Sequence, residues 1–124
     1  MNRSEILDTA KEYITKDRAD THGDADANFG LIAAYWSAHL GRNIKPHDVA
    51  VMMTLLKLAR AKSNPANADN WVDGCGYLAC GGEIADKEKD MQAKMLVGLR
   101  ARLSDGLVHR HRPRQDRSHR RHGR

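Results

Sequence analysis

Apolar positions recur at helical spacing in successive stretches of this chain, and polar, turn-forming segments separate them. Ser4 suits an N-cap and Glu5 a first turn, and Ile6, Leu7, Ala10, Tyr13 and Ile14 then keep the period, predicting a first helix over about residues 4–16. The following KDRADTHGDAD is polar and broken by Gly23, a loop longer than a helix connection requires and of the kind that often carries function. A second helix is expected over about residues 25–40. Its stripe of Phe29, Ile32, Ala33, Trp36 and Leu40 points to a core, and Gly41 closes it in the C′ position. Asn28, Tyr35 and His39 form a second line on a more polar side, which is either solvated or faces a site.

Pro46 is well placed to start a third helix. On a wheel of about 100° per residue, Met52, Leu55 and Ala59 lie within about 40° of Asp48, with Lys57 opposite and Arg60 on the flank. Asp48 therefore stands at the N-terminal end of an apolar face, and is either a ligand or an acid placed by the helix dipole. The loop SNPANAD ends this helix. Asp69 then looks like the N-cap of a fourth helix, with Trp71, Cys75 and Leu78 as its packing face. Gly74, Gly76, Gly81 and Gly82 each cost about 1 kcal/mol relative to Ala in a helix, and close packing against a neighbouring helix is the expected reason.

Beyond Ile84 a charged helix carries Met91, Met95, Leu96, Leu99 and Leu103, and Asp105-Gly106 is its expected end. It either packs on the core or serves a partner or oligomer. The last sixteen residues, 109–124, have no apolar content and cannot fold alone. The expected organisation is a helical core over 1–85, an amphipathic helix over 86–106 and a disordered Arg/His-rich tail over 107–124. The fold class is all-α, a compact bundle of about four helices with a C-terminal extension. Only 5% of the 124 residues are aromatic, which agrees with helices rather than a sandwich.

Charge changes the picture in one respect. The net charge is +5, yet residues 109–124 hold seven Arg and one Asp, so residues 1–108 sum to −1. Overall basicity is thus no argument that the core binds nucleic acid, while the tail has the composition to bind polyanions by charge alone. Cys75 and Cys80 have neither zinc-knuckle nor redox-motif spacing and are expected as small buried thiols. The N-terminus has no apolar h-region and no run approaches a membrane span, so a cytoplasmic protein without a membrane partner is expected.

The candidate chemistry lies between the third and fourth helices. Asp69 and Asp73, four apart, share a helix face that Tyr77 continues. Two such carboxylates can share Mg2+ with waters and phosphate oxygens. Lys57 and Arg60 could meet the phosphates, and Asp24, beside His22 and Gly23, is a further acid. The bland alternative makes Asp69 a cap, Asp73 a first-turn acid, and Lys57 and Arg60 a solvated face. No nucleophile elbow, phosphate-cradling Gly loop or H-E-x-x-H helix occurs, which disfavours covalent catalysis.

The segments HGDADANFGLIAAYWSAHLG, PHDVAVMMTLLKLARAKSNPANADNWVDGCGYLA and GGEI resemble a family of small phage and prophage proteins, through H-G-D-x-x-x-N-F, W-S, D-V-A-x-M-M-x-x-L-K-x-A-R and D-N-W-V-D-x-x-G-Y. The resemblance covers about residues 1–85. That family is in turn distantly similar to MazG-like all-α nucleoside triphosphate pyrophosphohydrolases, oligomers that bind Mg2+ through E-x-x-E and E-x-x-D motifs. No E-x-x-E occurs in this chain: the second helix offers Asp26 and Asn28, the third only Asp48, and D-N-W-V-D is a counterpart of E-x-x-D stretched by one.

The resemblance implies a nucleotide-binding protein acting in a host cytoplasm and a homo-oligomer. Turnover would be a Mg2+-dependent pyrophosphohydrolysis with Asp48, Asp69 and Asp73 as catalytic acids and Asp69 and Asp73 as metal ligands. His22, Asp24, Asn28, Lys57, Arg60, Trp71 and Tyr77 make up the expected nucleotide-binding set. The alternatives are a binder that sequesters a nucleotide signal against host defence, and an interaction protein whose tail engages nucleic acid.

Overall fold

The computed structural model describes residues 1–17 and 25–110. Four α-helices carry the described chain: α1 (Arg3–Glu12), α2 (Ala25–Leu40), α3 (Pro46–Ser63) and α4 (Ala68–Arg110), with a π-helical turn, Tyr13–Asp17, continuing α1. The all-α bundle expected from the periodicity is present, and no strand occurs among the described residues. The chain divides into two compact units, Met1–Lys89 and Asp90–Arg124, and α4 runs unbroken from the first into the second. Asp105-Gly106 does not stop it. One glycine in an otherwise Leu- and Arg-rich last turn is too weak a breaker, and helical backbone extends to Arg110.

Local chemistry fixes the helix ends. Asn2, not Ser4, caps α1: its Oδ1 accepts from Glu5 N–H at 2.9 Å, and Glu5 Oε2 accepts from Asn2 N–H at 2.7 Å, a reciprocal capping box. Gly41 closes α2 at φ +63°, and Arg42 N–H returns to Ser37 O at 3.2 Å. Ser37 Oγ then accepts from Ile44 N–H at 2.8 Å, tying the α2–α3 connection to the end of α2. Pro46 opens α3 as expected. Asp48 Oδ2 accepts from Lys45 N–H at 2.9 Å, so this acid completes the start of the helix. The fourth helix begins one residue earlier than its expected cap: Asn67 Oδ1 accepts from Asp69 N–H at 3.2 Å, and Asp69 is a first-turn residue.

The core of the first unit joins α2, α3 and α4 through Phe29, Ala33, Val49, Ala50, Cys80 and Ile84, with Ile14, Ile32, Trp36, Met53 and Tyr77 packed against them. The expected stripe of α2 points inward except for Leu40, which is exposed. The faces of α3 and α4 correct the sequence reading. In α3 the buried positions are Val49, Ala50, Thr54 and Ala61, with Lys57 half-buried beside them, while Met52, Leu55 and Ala59 face outward. In α4 Val72, Gly76, Cys80 and Ile84 face in, and the expected packing residues Trp71 and Leu78 are 43% and 56% exposed.

Close approach between helices explains the choice. A Cβ at Gly81 would lie 2.7 Å from Ala50 Cβ, and one at Gly76 would lie 3.1 Å from Ile14 Cγ2. Two of the four helical glycines therefore answer to close packing, whereas Gly74 and Gly82 face open space. Cys80 is buried and Cys75 half-buried, and the two form no disulfide.

Candidate functional site

The C-terminal turns of α3, the connecting residues 64–67 and the first turns of α4 border an open cleft of about 580 Å³. All of its lining residues but one are of polar type, their aliphatic stems included in the wall. Lys57, Arg60 and Ser63 come from α3; Asn64 and Asn67 from the connection; Asp69, Asn70 and Asp73 from α4; Ala59 is the one apolar contributor. The volume falls within the range of small-ligand pockets.

The local folding reasons are visible in the backbone. Asn64 N–H bonds Arg60 O at 2.9 Å and ends α3, Asn67 N–H bonds Asn64 O at 3.2 Å to turn the chain, and Asn67 then caps α4. The turn is pinned from behind by Trp71, whose indole N–H donates to Pro65 O at 2.9 Å. The N-terminal end of α4, with its positive dipole end, thus opens onto the cleft.

Lys57 Nζ sits 2.7 Å from Asp73 Oδ2. This pair crosses from α3 to α4 along one wall of the cleft, so part of the lysine's charge is already matched. Arg60 is exposed, and its guanidinium carries no ion pair among the described residues. The arrangement can offer a planar cation to a phosphate or carboxylate, amide donors and acceptors to a ring or sugar, and a carboxylate edge.

Of the residues expected in a site, the structure brings Lys57, Arg60, Asp69 and Asp73 together. It leaves others apart. Asp48 stands at the opposite end of α3, roughly 14 Å along the axis from Lys57 at 1.5 Å per residue, so it cannot share an ion with Asp73. There it lies 3.5 Å from His47 Nε2, and His47 Nδ1 is 2.7 Å from Glu88 Oε2. Tyr77 packs on Phe29 with ring centroids 6.2 Å apart and belongs to the core. Asn28 is an exposed residue of α2. Trp71 lines a neighbouring apolar hollow with Met1, Ile6 and Pro65, not the polar cleft. His22 and Asp24 lie outside the described residues, as does the tail beyond Arg110. Ser63, Asn64, Asn67 and Asn70 line the cleft without having been singled out in the sequence, where SNPANAD reads as turn chemistry alone and Asn70 as a residue of the helix that follows.

Among the described residues no three His, Cys, Asp or Glu side chains converge as a metal centre would require. Asp69 and Asp73 are the carboxylates of the cleft, and Asp73 is held by Lys57. Outside the cleft, Lys87 Nζ bonds Asp26 Oδ2 at 2.7 Å and lies 3.4 Å from Glu83 Oε1, linking the start of α2 to α4. These contacts, the Asp26 hydrogen bond first, raise the Lys87 pKa above its ordinary 10.5. Among the described residues no helix is long and apolar enough to cross a membrane.

Comparison with known proteins places these features in a family. The chain is 48% identical over 73 residues to the Gene 55 protein of Mycobacterium phage L5, covering 58% of this chain and 47% of the relative. It is 36% identical over 75 residues to the Gene 55 protein of Mycobacterium phage D29, covering 60% of this chain and 50% of the relative. The chain thus spans about half the length of the curated relatives it matches. No solved structure matches it significantly. The family model described as "Domain of unknown function (DUF6378)" matches residues 5–85, a span that contains every residue lining the cleft. With most of its length matched, this chain belongs to the DUF6378 family, whose relatives here are mycobacteriophage proteins.

Proposed function

We propose that this chain is a phage nucleotide-binding protein of MazG-like fold acting in the cytoplasm of an infected host, and that the α3–α4 cleft holds the ligand. One observation carries the reading: Arg60, an exposed cation, stands in a polar cleft of nucleotide size with Ser63, Asn64, Asn67 and Asn70 around it. In this reading the guanidinium takes phosphate oxygens in bidentate fashion. The exposed Asn64 amide, and the Asn67 NH2 whose Oδ1 is held by Asp69 N–H, take a base edge or sugar hydroxyls.

The donor set gives magnesium a minimal hold. Asp73 is bonded to Lys57 at 2.7 Å, which leaves Asp69 as the one carboxylate of the cleft outside that pair, the fewest that an ion completed by phosphates and waters accepts. Binding without turnover is therefore the favoured form, and capture of a nucleotide signal is the activity it supports. Pyrophosphohydrolysis, the second reading, rests on the likeness of D-N-W-V-D to an E-x-x-D motif.

Calorimetric titration of a nucleotide panel, with and without Mg2+, tests both. Saturable binding at unit stoichiometry, weakened about tenfold or more by Arg60→Ala, is the expected result. Absence of heat from every nucleotide would end the proposal, and pyrophosphate release dependent on Asp73 would replace binding with hydrolysis.

A further inference from the structure

The outer face of α3 is apolar where a helix in water would be polar. Val51, Met52, Leu55 and Leu58 are 38–56% exposed, while the core side of the same helix already carries Val49, Ala50 and Thr54. One apolar face of α3 is matched by the core and the other is not, and an exposed apolar patch marks an interaction surface. Along this face positions 48, 51, 55, 58 and 62 alternate by three and four, the seam spacing of paired helices.

Its charges stand only at its ends. Asp48 is seven residues before Leu55 and Lys62 seven after, both at the seam position that Leu55 occupies in the middle. We propose that a second copy of this chain covers this face, the two α3 helices running antiparallel about a two-fold axis at Leu55. Reversing the helix about Leu55 exchanges positions 48 and 62, so Asp48 meets the partner's Lys62 at each end and Leu58 meets the partner's Met52 in between. A parallel pair would instead set acid on acid and lysine on lysine. The face is thus complementary to its own reverse, the condition for an isologous interface. The carboxylate of Asp48 bonds Lys45 N–H through Oδ2, yet its side chain is 44% exposed and open to a further cation. The proposal is independent of the nucleotide reading, because it uses none of the charged or amide side chains that line the cleft.

Native mass spectrometry and light scattering of the full chain test it, with circular dichroism as the check on folding. The wild type is expected as a dimer, and Leu55→Glu as a helical monomer. Lys62→Glu, a surface change that leaves the fold alone, should raise the dimer dissociation constant about tenfold or more, and Asp48→Lys combined with Lys62→Glu should return most of that loss. A wild-type monomer would overturn the proposal. So would a dimer indifferent to both Leu55→Glu and Lys62→Glu. Dissociation by Leu99→Glu in place of Leu55→Glu would move the interface to the exposed Met91, Met95 and Leu99 stripe of α4.

Discussion

Lys57 Nζ and Asp73 Oδ2 meet at 2.7 Å with only 13% and 19% of their side chains exposed. The pair joins α3 to α4 at the wall of the cleft and is shielded enough for its loss to be felt. Removing Lys57 strands a half-buried carboxylate, which costs more than the fraction of a kcal/mol typical of an exposed pair. Lys57→Met is expected to destabilise the protein by about 1–3 kcal/mol in urea unfolding. Lys57→Met with Asp73→Leu should regain at least half of that, since no unpaired charge remains. An unchanged midpoint for Lys57→Met would show that the pair contributes nothing to the folded state.

Arg60 is the cation of the cleft with no ion pair among the described residues, so the two cations should separate in their effects. Arg60→Ala is expected to leave stability within about 0.5 kcal/mol, because the side chain is exposed. It should nevertheless remove most of the thermal stabilisation by nucleotide, which for a ligand at 100 times its dissociation constant is about 2.7 kcal/mol. Differential scanning calorimetry with and without ligand reads both quantities from the same samples. Equal ligand-induced shifts in wild type and variant would place the phosphate elsewhere.

The helices were legible in the sequence because their punctuation is strong: Pro46 opens α3, Gly41 closes α2, and the Asn-Pro turn ends α3. Their facing was not. Both α3 and α4 are apolar on two sides, so hydrophobicity cannot choose which side turns in. Size chooses instead. Ala50 and Gly81 let the two backbones approach, and the bulky Leu55 and Leu78 are left outside. Within the site, the i, i+4 spacing of Asp69 and Asp73 and the i, i+3 spacing of Lys57 and Arg60 set each pair on its own helix face, and the α3–α4 turn is what brings the two pairs to one cleft. Asn64 and Asn67 were missed because an amide in a turn is ordinarily satisfied by its own backbone, and Asn70 because it is a buried residue in the first turn of α4. Asp48 was ambiguous for a similar reason, since a helix-end acid and a ligand have the same sequence signature.

The contact of Gly81 with Ala50 yields a paired test. Gly81→Ala places a Cβ 2.7 Å from Ala50 Cβ, between two backbones with no flexible side chain to yield. It is expected to cost about 1–3 kcal/mol as the helices separate. Gly82→Ala, one residue on and with nothing within 4 Å, should gain up to about 1 kcal/mol from helix propensity. Thermal unfolding of the two variants should therefore move in opposite directions. A shared direction would mean that propensity, not packing, governs this part of α4.

Trp71 holds the turn behind the cleft through one hydrogen bond, from its indole N–H to Pro65 O at 2.9 Å. Phenylalanine keeps most of the ring and removes the donor. Trp71→Phe is expected to lose about 1 kcal/mol and to speed hydrogen exchange at Asn64 and Asn67, whose N–H groups close the turn. Exchange rates unchanged at those two amides would show that the backbone bonds hold the connection without the indole.

Among the described residues, Lys87 has ion pairs that define a pH dependence. Its hydrogen bond to Asp26, with support from Glu83, raises its pKa above 10.5 in the folded chain. A cation whose folded pKa is raised binds its proton more tightly when folded, so the stabilisation is fully present below about 10.5 and is lost as pH climbs through the higher folded value. The head group is solvent-facing, and the contribution to stability is accordingly small. Asp26→Asn removes the largest cause, and the Lys87 side-chain resonance in an NMR titration should then move its midpoint down towards 10.5, while Glu83→Gln should move it less. A midpoint that ignores Asp26→Asn would mean that the α2–α4 link is not made in solution.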